Sequence, residues 1–229
     1  DYQRIVKKRK RKAEADVIAD FTQFGGAADL PRWMDWFRND YPDYIADERI
    51  AKLIADSQKN DAHILKALGQ PFKEDHYDKR VGLNNAHAYL IPQLLPLPER
   101  NKLHTVLDFG AGYGRQANLW TTQDPGLCYV GMDAIVNSYC LQHLYYEALA
   151  DGPIHDYIDD PANFRFIPGT AGIHHIPTWR SDLIPDNSVE LVMCVQVLPE
   201  LNSKLVKHMI AEFHRILKPG GAVYIRAHA

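Results

Sequence analysis

The stretch TVLDFGAGYGR, Thr105 to Arg115, decides the fold. Apolar residues run into a carboxylate, Asp108, and glycines follow at Gly110, Gly112 and Gly114 before helical sequence resumes. A short apolar run that breaks at glycines and reopens as a helix reads as the first strand, turn and helix of a parallel sheet. Ligands of such sheets bind beyond the carboxyl ends of the strands. The rhythm repeats downstream: LHTVLDF, CYVGMD, FRFIPG, VELVMCVQ and AVYIRA read as strands, with RQANLWTT, IVNSYCLQHLYYEALA and SKLVKHMIAEFHRILK as helices between them. In the last of these, Val206, Met209, Ile210, Phe213, Ile216 and Leu217 share one helical face. The expected class is α/β, a doubly wound, mostly parallel sheet.

Upstream the pattern is helical. Ile50, Leu53, Ile54, Ile64, Leu65 and Leu68 recur at helical spacing, and Gly69 with Pro71 closes the run. YLIPQLLPLPERN carries Pro92, Pro96 and Pro98, which stop any helix entering it, so the segment reads as a linker. The boundary falls near residue 100, with residues 1–100 a helical N-terminal layer or lid and residues 101–229 the ligand-binding core. The chain starts at Asp1 and stops in the strand-like VYIRAHA, from which we expect that both ends are cut and C-terminal strands are missing.

Composition narrows the function classes. At 46% hydrophobic, 24% charged and a formal net charge of −3, the chain has no global attraction to nucleic acid. The basic run KKRKRK reads as a solvated face. No apolar run approaches the roughly 18 residues of a membrane span, and no signal peptide is visible, so a cytoplasmic location is expected. Cys128, Cys140 and Cys194 are scattered without zinc spacing and read as reduced core thiols. HDYIDD, from His155 to Asp160, could offer oxygen ligands but reads as a solvated acidic turn, and no metal is expected.

The glycine spacing selects the ligand. A nicotinamide-binding turn needs G-x-G-x-x-G, whereas here Arg115 takes the third glycine position. Asp108 would also repel a pyrophosphate. S-adenosylmethionine meets both constraints, because it carries a sulfonium and an ammonium, has no phosphate, and still needs close backbone approach. Asp133, closing the CYVGMD strand, is placed to accept ribose hydroxyls in either cofactor class.

VLDFGAGYGR, YVGMD and FHRILKPGGAVYIR together resemble the motifs of the class I S-adenosylmethionine-dependent methyltransferases, over residues 103–227. The resemblance implies a Rossmann-like core in which Asp108, Gly110, Ala111, Gly112 and Gly114 surround the methionine part. It implies that Asp133 and Ala134 meet the ribose and the start of the adenine, that Thr170 and Ala171 flank adenine, and that Gln196 lies near the methionyl end. Many members have Asp where Thr170 stands, so the adenine contact here is expected from the segment GIHHIPTWRSDL. Arg80 is a candidate for the cofactor carboxylate, beside Tyr77 in HYDKRVGLNN. LDFGAGYGR, HIPTW and VQVLPEL, with the helical layer, are also similar to a bacterial sugar O-methyltransferase family, which implies a sugar or glycosylated metabolite as acceptor.

A sugar hydroxyl needs a base. The expected bases are His175, with its neighbour His174 in the long connection after the third strand, and Glu200 just after the fourth, where it also reads as a helix-entry carboxylate. Rival readings are a methyltransferase-like binding module without turnover, an RNA methyltransferase using KKRKRK, and, more remotely, an oxidoreductase. Against the second of these, the fourth strand does not end in an N-P-P-Y or D-P-P-Y signature.

Overall fold

The computed structural model describes residues 48–70, 72, 79–95, 97 and 102–226. KKRKRK, PRWMDWFRND and Tyr77 lie outside the described residues, as does the side chain of Arg80. Helix α1 (Glu48–Ala67) and helix α2 (Lys79–Gln93) precede an alternating core. The core runs β1 (Thr105–Phe109), α3 (Ala117–Gln123), β2 (Cys128–Asp133), α4 (Val136–Leu149), β3 (Ile154–Asp156), β4 (Gly172–Pro177), β5 (Val189–Val195), α5 (Ser203–Ile216) and β6 (Leu217–Arg226). No helix among the described residues is long and apolar enough to cross a membrane.

The strands form one six-stranded sheet in the order β3-β4-β2-β1-β5-β6, every pair parallel. The doubly wound α/β class is as expected. Strand order reverses at β1, which lies between β2 and β5, so the ligand crevice of such a sheet opens beyond the carboxyl ends of β1, β2 and β5. β1 and β2 are buried throughout, as strands covered on both faces must be. Asp108 and Tyr129 share one face with Tyr146 of α4, while Phe109, one residue on and therefore on the other face, meets Phe213 of α5 edge-on at 5.2 Å.

α1 explains the gap in its own apolar pattern. Ile50, Leu53, Ile64 and Leu65 are buried, and between them the inward positions are Ser57 and Asp61, also buried. Asp61 Oδ1 accepts from Asn118 Nδ2 and from the Tyr145 hydroxyl, each at 2.9 Å, and Asn85 Nδ2 donates to Ser57 Oγ at 2.8 Å. The helical layer is therefore bonded to α3 and α4, and Ile64, Leu65, Leu68 and Ala88 belong to the same apolar core as the sheet. α1 ends where Gly69, at φ 67°, lets Gln70 N–H reach the Leu65 carbonyl at 2.7 Å. α2 runs one residue past Pro92, because a proline in the last turn removes only one helical hydrogen bond.

Three elements differ from the sequence reading, the last of them β6, which starts at Leu217 and takes in Pro219 to Gly221 ahead of AVYIRA. FRFIPG forms no strand: Phe164 and Phe166 are buried and Arg165 exposed, but the alternation comes from aromatic packing onto the core without a ladder. The strand beside β2 is instead GIHHIP, with Cys128 opposite Gly172 and Asp133 opposite Pro177. The acidic HDYIDD segment is a solvated turn only in part: His155 and Asp156 close β3 and Asp156 is buried, while Asp159 and Asp160 are exposed.

Candidate active site

The turn after β1 is held from three sides. Gly110 and Ala111 N–H donate to the Met132 carbonyl at 2.9 and 3.0 Å, tying the turn to β2. Gly112 N–H donates to Asp133 Oδ2 at 3.1 Å, and the Gly112 carbonyl accepts from Gln142 Nε2 at 2.7 Å. The glycines have different duties. A Cβ at Gly110 would collide with the Val197 side chain and one at Gly114 would lie 2.7 Å from Tyr146 Cε1, so these two permit packing. Among the described residues, a Cβ at Gly112 would meet nothing within 4 Å, and its φ is 59°. Gly112 is the member of the set that faces open space.

Asp108 is 1% exposed and its Oδ2 accepts from the Tyr129 hydroxyl at 2.7 Å. Burial pushes its carboxyl up to about 7, against the pull of the Tyr129 hydroxyl and Arg115. Asp133 also accepts from Ile135 N–H at 2.8 Å and from Gln142 Nε2 at 3.2 Å, and burial raises it to about 6. Ala134 is exposed beside it, and Ala111 is buried in the turn. Gln196 stands at the carboxyl end of β5 with φ 62°, a conformation uncommon outside glycine, pinned by its N–H to the Arg226 carbonyl at 2.7 Å. Thus Asp108, the glycine turn, Asp133, Ala134 and Gln196 are brought to one end of the sheet.

Thr170 and Ala171 are not. They precede β4, and Gly172 N–H bonds the Leu127 carbonyl at 3.0 Å, so both lie at the amino end of the sheet, opposite the crevice. Pro177, Thr178 and the exposed Trp179 occupy the carboxyl end of β4 in their place. The turn signal Pro168–Gly169 just before GIHHIP could have moved the strand to its true position.

His174 and His175 are likewise strand residues, not loop residues. His175 is fully buried, stacked on Tyr139 at 3.5 Å, with Nδ1 2.9 Å from Asp156 Oδ2 and Nε2 2.9 Å from Gln142 Oε1. Both nitrogens are engaged, so it cannot take a proton from a ligand in the crevice. His174 Nε2 meets the Thr170 carbonyl at 3.1 Å, and burial lowers the ring to about 4. Glu200 is exposed in a short turn after β5, and the cap of α5 is Asn202, whose side chain accepts from Lys204 and Leu205 N–H at 3.1 and 3.0 Å. Glu200 therefore has no capping duty.

The sequence reading missed the contribution of α2. Asn84, Asn85 and His87 are buried on it, and His87 lies close enough to Arg226, the last residue of β6, for their charges to interact. Arg226 in turn acts on Asp108. Burial, with Arg226, lowers the His87 pKa and keeps the ring neutral. Three polar residues within NNAH, with the buried Ala86 and Ala88 on either side of His87, were the available signal for an inward polar face.

No curated protein matches the chain. In fold it is similar to a SAM-dependent methyltransferase from Methanosarcina mazei (19% identity, 53% of this chain and 50% of that one, TM-score 0.40). It is also similar to phosphoethanolamine N-methyltransferase 2 of Haemonchus contortus, in complex with phosphomonomethylethanolamine and S-adenosylhomocysteine (18%, 62% and 28%, 0.41). An arsenic(III) S-adenosylmethionine methyltransferase from Chlamydomonas reinhardtii is similar at 20% identity, over 57% of this chain and 40% of that one, TM-score 0.36. The chain thus spans half or less of the length of each of the three. Residues 170–225, from just before β4 almost to the end of β6, match the family model described as a methyltransferase domain.

Proposed function

We propose that the protein is an S-adenosylmethionine-dependent methyltransferase acting on a hydroxyl of a small molecule, with a sugar or glycosylated metabolite as the acceptor class. The observation that carries the reading is the open space at Gly112, framed by Asp108 and Asp133 at the point where strand order reverses. This fits a cofactor that is cationic at its amino-acid end and needs backbone contact. When bound, the cofactor supplies a methyl carbon already activated by its sulfonium.

Asp108 and the glycine turn would hold the methionine part, and Asp133, oriented by Gly112, Ile135 and Gln142, the ribose. Pro177, Thr178 and Trp179 replace Thr170 and Ala171 as the adenine-side residues. His87, buried on α2 and kept neutral by that burial and by Arg226, would take the place of His175 as the group that accepts the hydroxyl proton. The test is calorimetric binding of S-adenosylhomocysteine, followed by its detection as product in incubations with candidate acceptors. His87→Ala should then lower single-turnover transfer by about 10²-fold with cofactor affinity kept. An unchanged rate would remove His87. No S-adenosylhomocysteine binding by the folded wild type would remove the whole reading.

The raised carboxyls set a pH dependence. Asp108 is faced by Tyr129, Arg115, Asp133, Arg226, Tyr146 and Cys194. A ligand ammonium favours its ionised form, so binding must expel a proton below pH 7. Affinity should fall by about tenfold per pH unit below about 7 and flatten above it. Stability responds with the opposite sign: the folded pKa of about 7 lies above the ordinary carboxyl value of 3.8, so the folded state holds the extra proton in that window. The Asp108 contribution to stability is therefore greatest at the acid end and is lost as pH rises through about 7. Calorimetry across pH 5.5–8 in buffers of different ionisation heat checks this, and pH-independent affinity without proton release would refute it.

A further inference from the structure

Gln142 Nε2 donates to the Gly112 carbonyl and to Asp133, so its Oε1 must be the atom facing His175, and His175 Nε2 must carry a proton to donate to it. At His143, on the same helix, Nε2 lies 3.0 Å from Glu147 Oε1, a carboxylate that can only accept, so that nitrogen also carries a proton. The two Nδ1 atoms are then left turned toward the same oxygen, Asp156 Oδ2, at 2.9 Å from His175 and 3.4 Å from His143. A lone pair of a neutral imidazole against a carboxylate oxygen is repulsive unless a cation lies between them. One added proton would relieve only one of the two rings and leave the other lone pair against the same oxygen, and one on each would crowd two imidazolium ions onto that oxygen, one of them fully buried, which is costly.

We propose that His143, Asp156 and His175 form a binding site for one divalent transition-metal ion, with zinc the best match. The donors come from α4, β3 and β4, and all three ligand atoms lie within 4.8 Å of one another. Donors about 2.0–2.1 Å from one ion would show the 2.9 and 3.4 Å separations at ligand–ion–ligand angles of roughly 90–110°. Two nitrogens and one oxygen suit zinc and disfavour magnesium or calcium, which take oxygen shells. Each ligand has the outer partner that a metal ligand needs to hold its tautomer and direction: Glu147 for His143, Gln142 for His175, and for Asp156 the Tyr139 hydroxyl and Ile158 N–H, at 2.9 and 2.8 Å on Oδ1. The His143 side chain is 12% exposed, which gives an entry path. An ion there would brace His175, and through Gln142 both the Gly112 carbonyl and Asp133, so occupancy would tighten cofactor binding. That coupling rests on the proposed function; the metal site does not.

The test uses the full chain, stripped with a chelator and titrated with Zn²⁺ and Co²⁺ in the absence of cofactor. One equivalent should bind, with a rise in melting temperature and the intense visible absorption of low-coordinate Co²⁺. His143→Ala, on a partly exposed position of α4, should fold as wild type and lose both signals, and Glu147→Gln should weaken zinc binding about 10–100-fold. Wild-type protein that stays folded, takes up no stoichiometric zinc and leaves the Co²⁺ spectrum that of the aqueous ion would overturn the proposal. So would metal binding unaltered by His143→Ala. A site that binds zinc while S-adenosylhomocysteine fails to bind would leave it standing and reject only the cofactor reading.

Discussion

Gly112→Val is expected to abolish S-adenosylhomocysteine binding, a loss of more than about 10³-fold, in a protein that still folds. The new Cβ would point where no atom of the described residues lies within 4 Å, so it does not meet the packing that a Cβ at Gly110 or Gly114 would. Its cost to folding is local: a residue with a Cβ held at φ 59° gives up roughly 1–2 kcal/mol. A bound ligand meets two obstacles, the isopropyl group in the space it needs and a turn pulled from the backbone shape that joins Gly112 to Asp133 and Gln142. The neighbouring glycines form the control. Substitution at Gly114 should damage folding first, because its new Cβ meets the fully buried Tyr146 ring. Calorimetry paired with thermal melting separates the effects, and near-normal binding by Gly112→Val would reduce the loop to a tight turn.

Glu190→Ala is expected to destabilise the fold by about 3 kcal/mol without touching the crevice. Glu190 is fully buried at the amino end of β5. Its Oε2 accepts from Thr105 N–H at 2.8 Å and His104 N–H at 3.3 Å, and its Oε1 pairs with Lys218. One carboxylate thereby joins the starts of β1, β5 and β6. Truncation leaves the Thr105 N–H buried without its acceptor, while Lys218, 34% exposed, can return to water. The melting temperature should drop by roughly 6–12 °C for a chain of this size. Glu190→Gln, which keeps an acceptor oxygen, should recover much of the loss. Equal melting of Glu190→Ala and wild type would show that water replaces the carboxylate.

Much of the fold was legible because it depends on local signals. The apolar runs of β1, β2 and β5 lie within a residue or two of where the sequence places them, since central parallel strands must be apolar on both faces. The third strand was misplaced because FRFIPG has strand-like alternation for a different reason, with aromatic rings packing on the core. GIHHIP carries two histidines that hide a buried strand behind polar letters. Burial of those histidines depends on Tyr139, Gln142 and Asp156, which arrive from α4 and β3 and have no fixed offset in sequence.

By itself the sequence determined the parallel α/β class, the glycine turn and the two acids, Asp108 and Asp133, because strand period, glycine conformation and charge are properties of neighbouring residues. The tertiary structure alone decided which glycine faces open space, since that depends on Val197 and Tyr146 filling the room beside Gly110 and Gly114. It also decided that Thr170 and Ala171 stand at the wrong end of the sheet, which only register against β2 can tell. His175 moved from a presumed base to the centre of a buried polar cluster for the same reason. A side chain's chemistry is written in its residue type, but the groups able to use that chemistry are set by what packs against it.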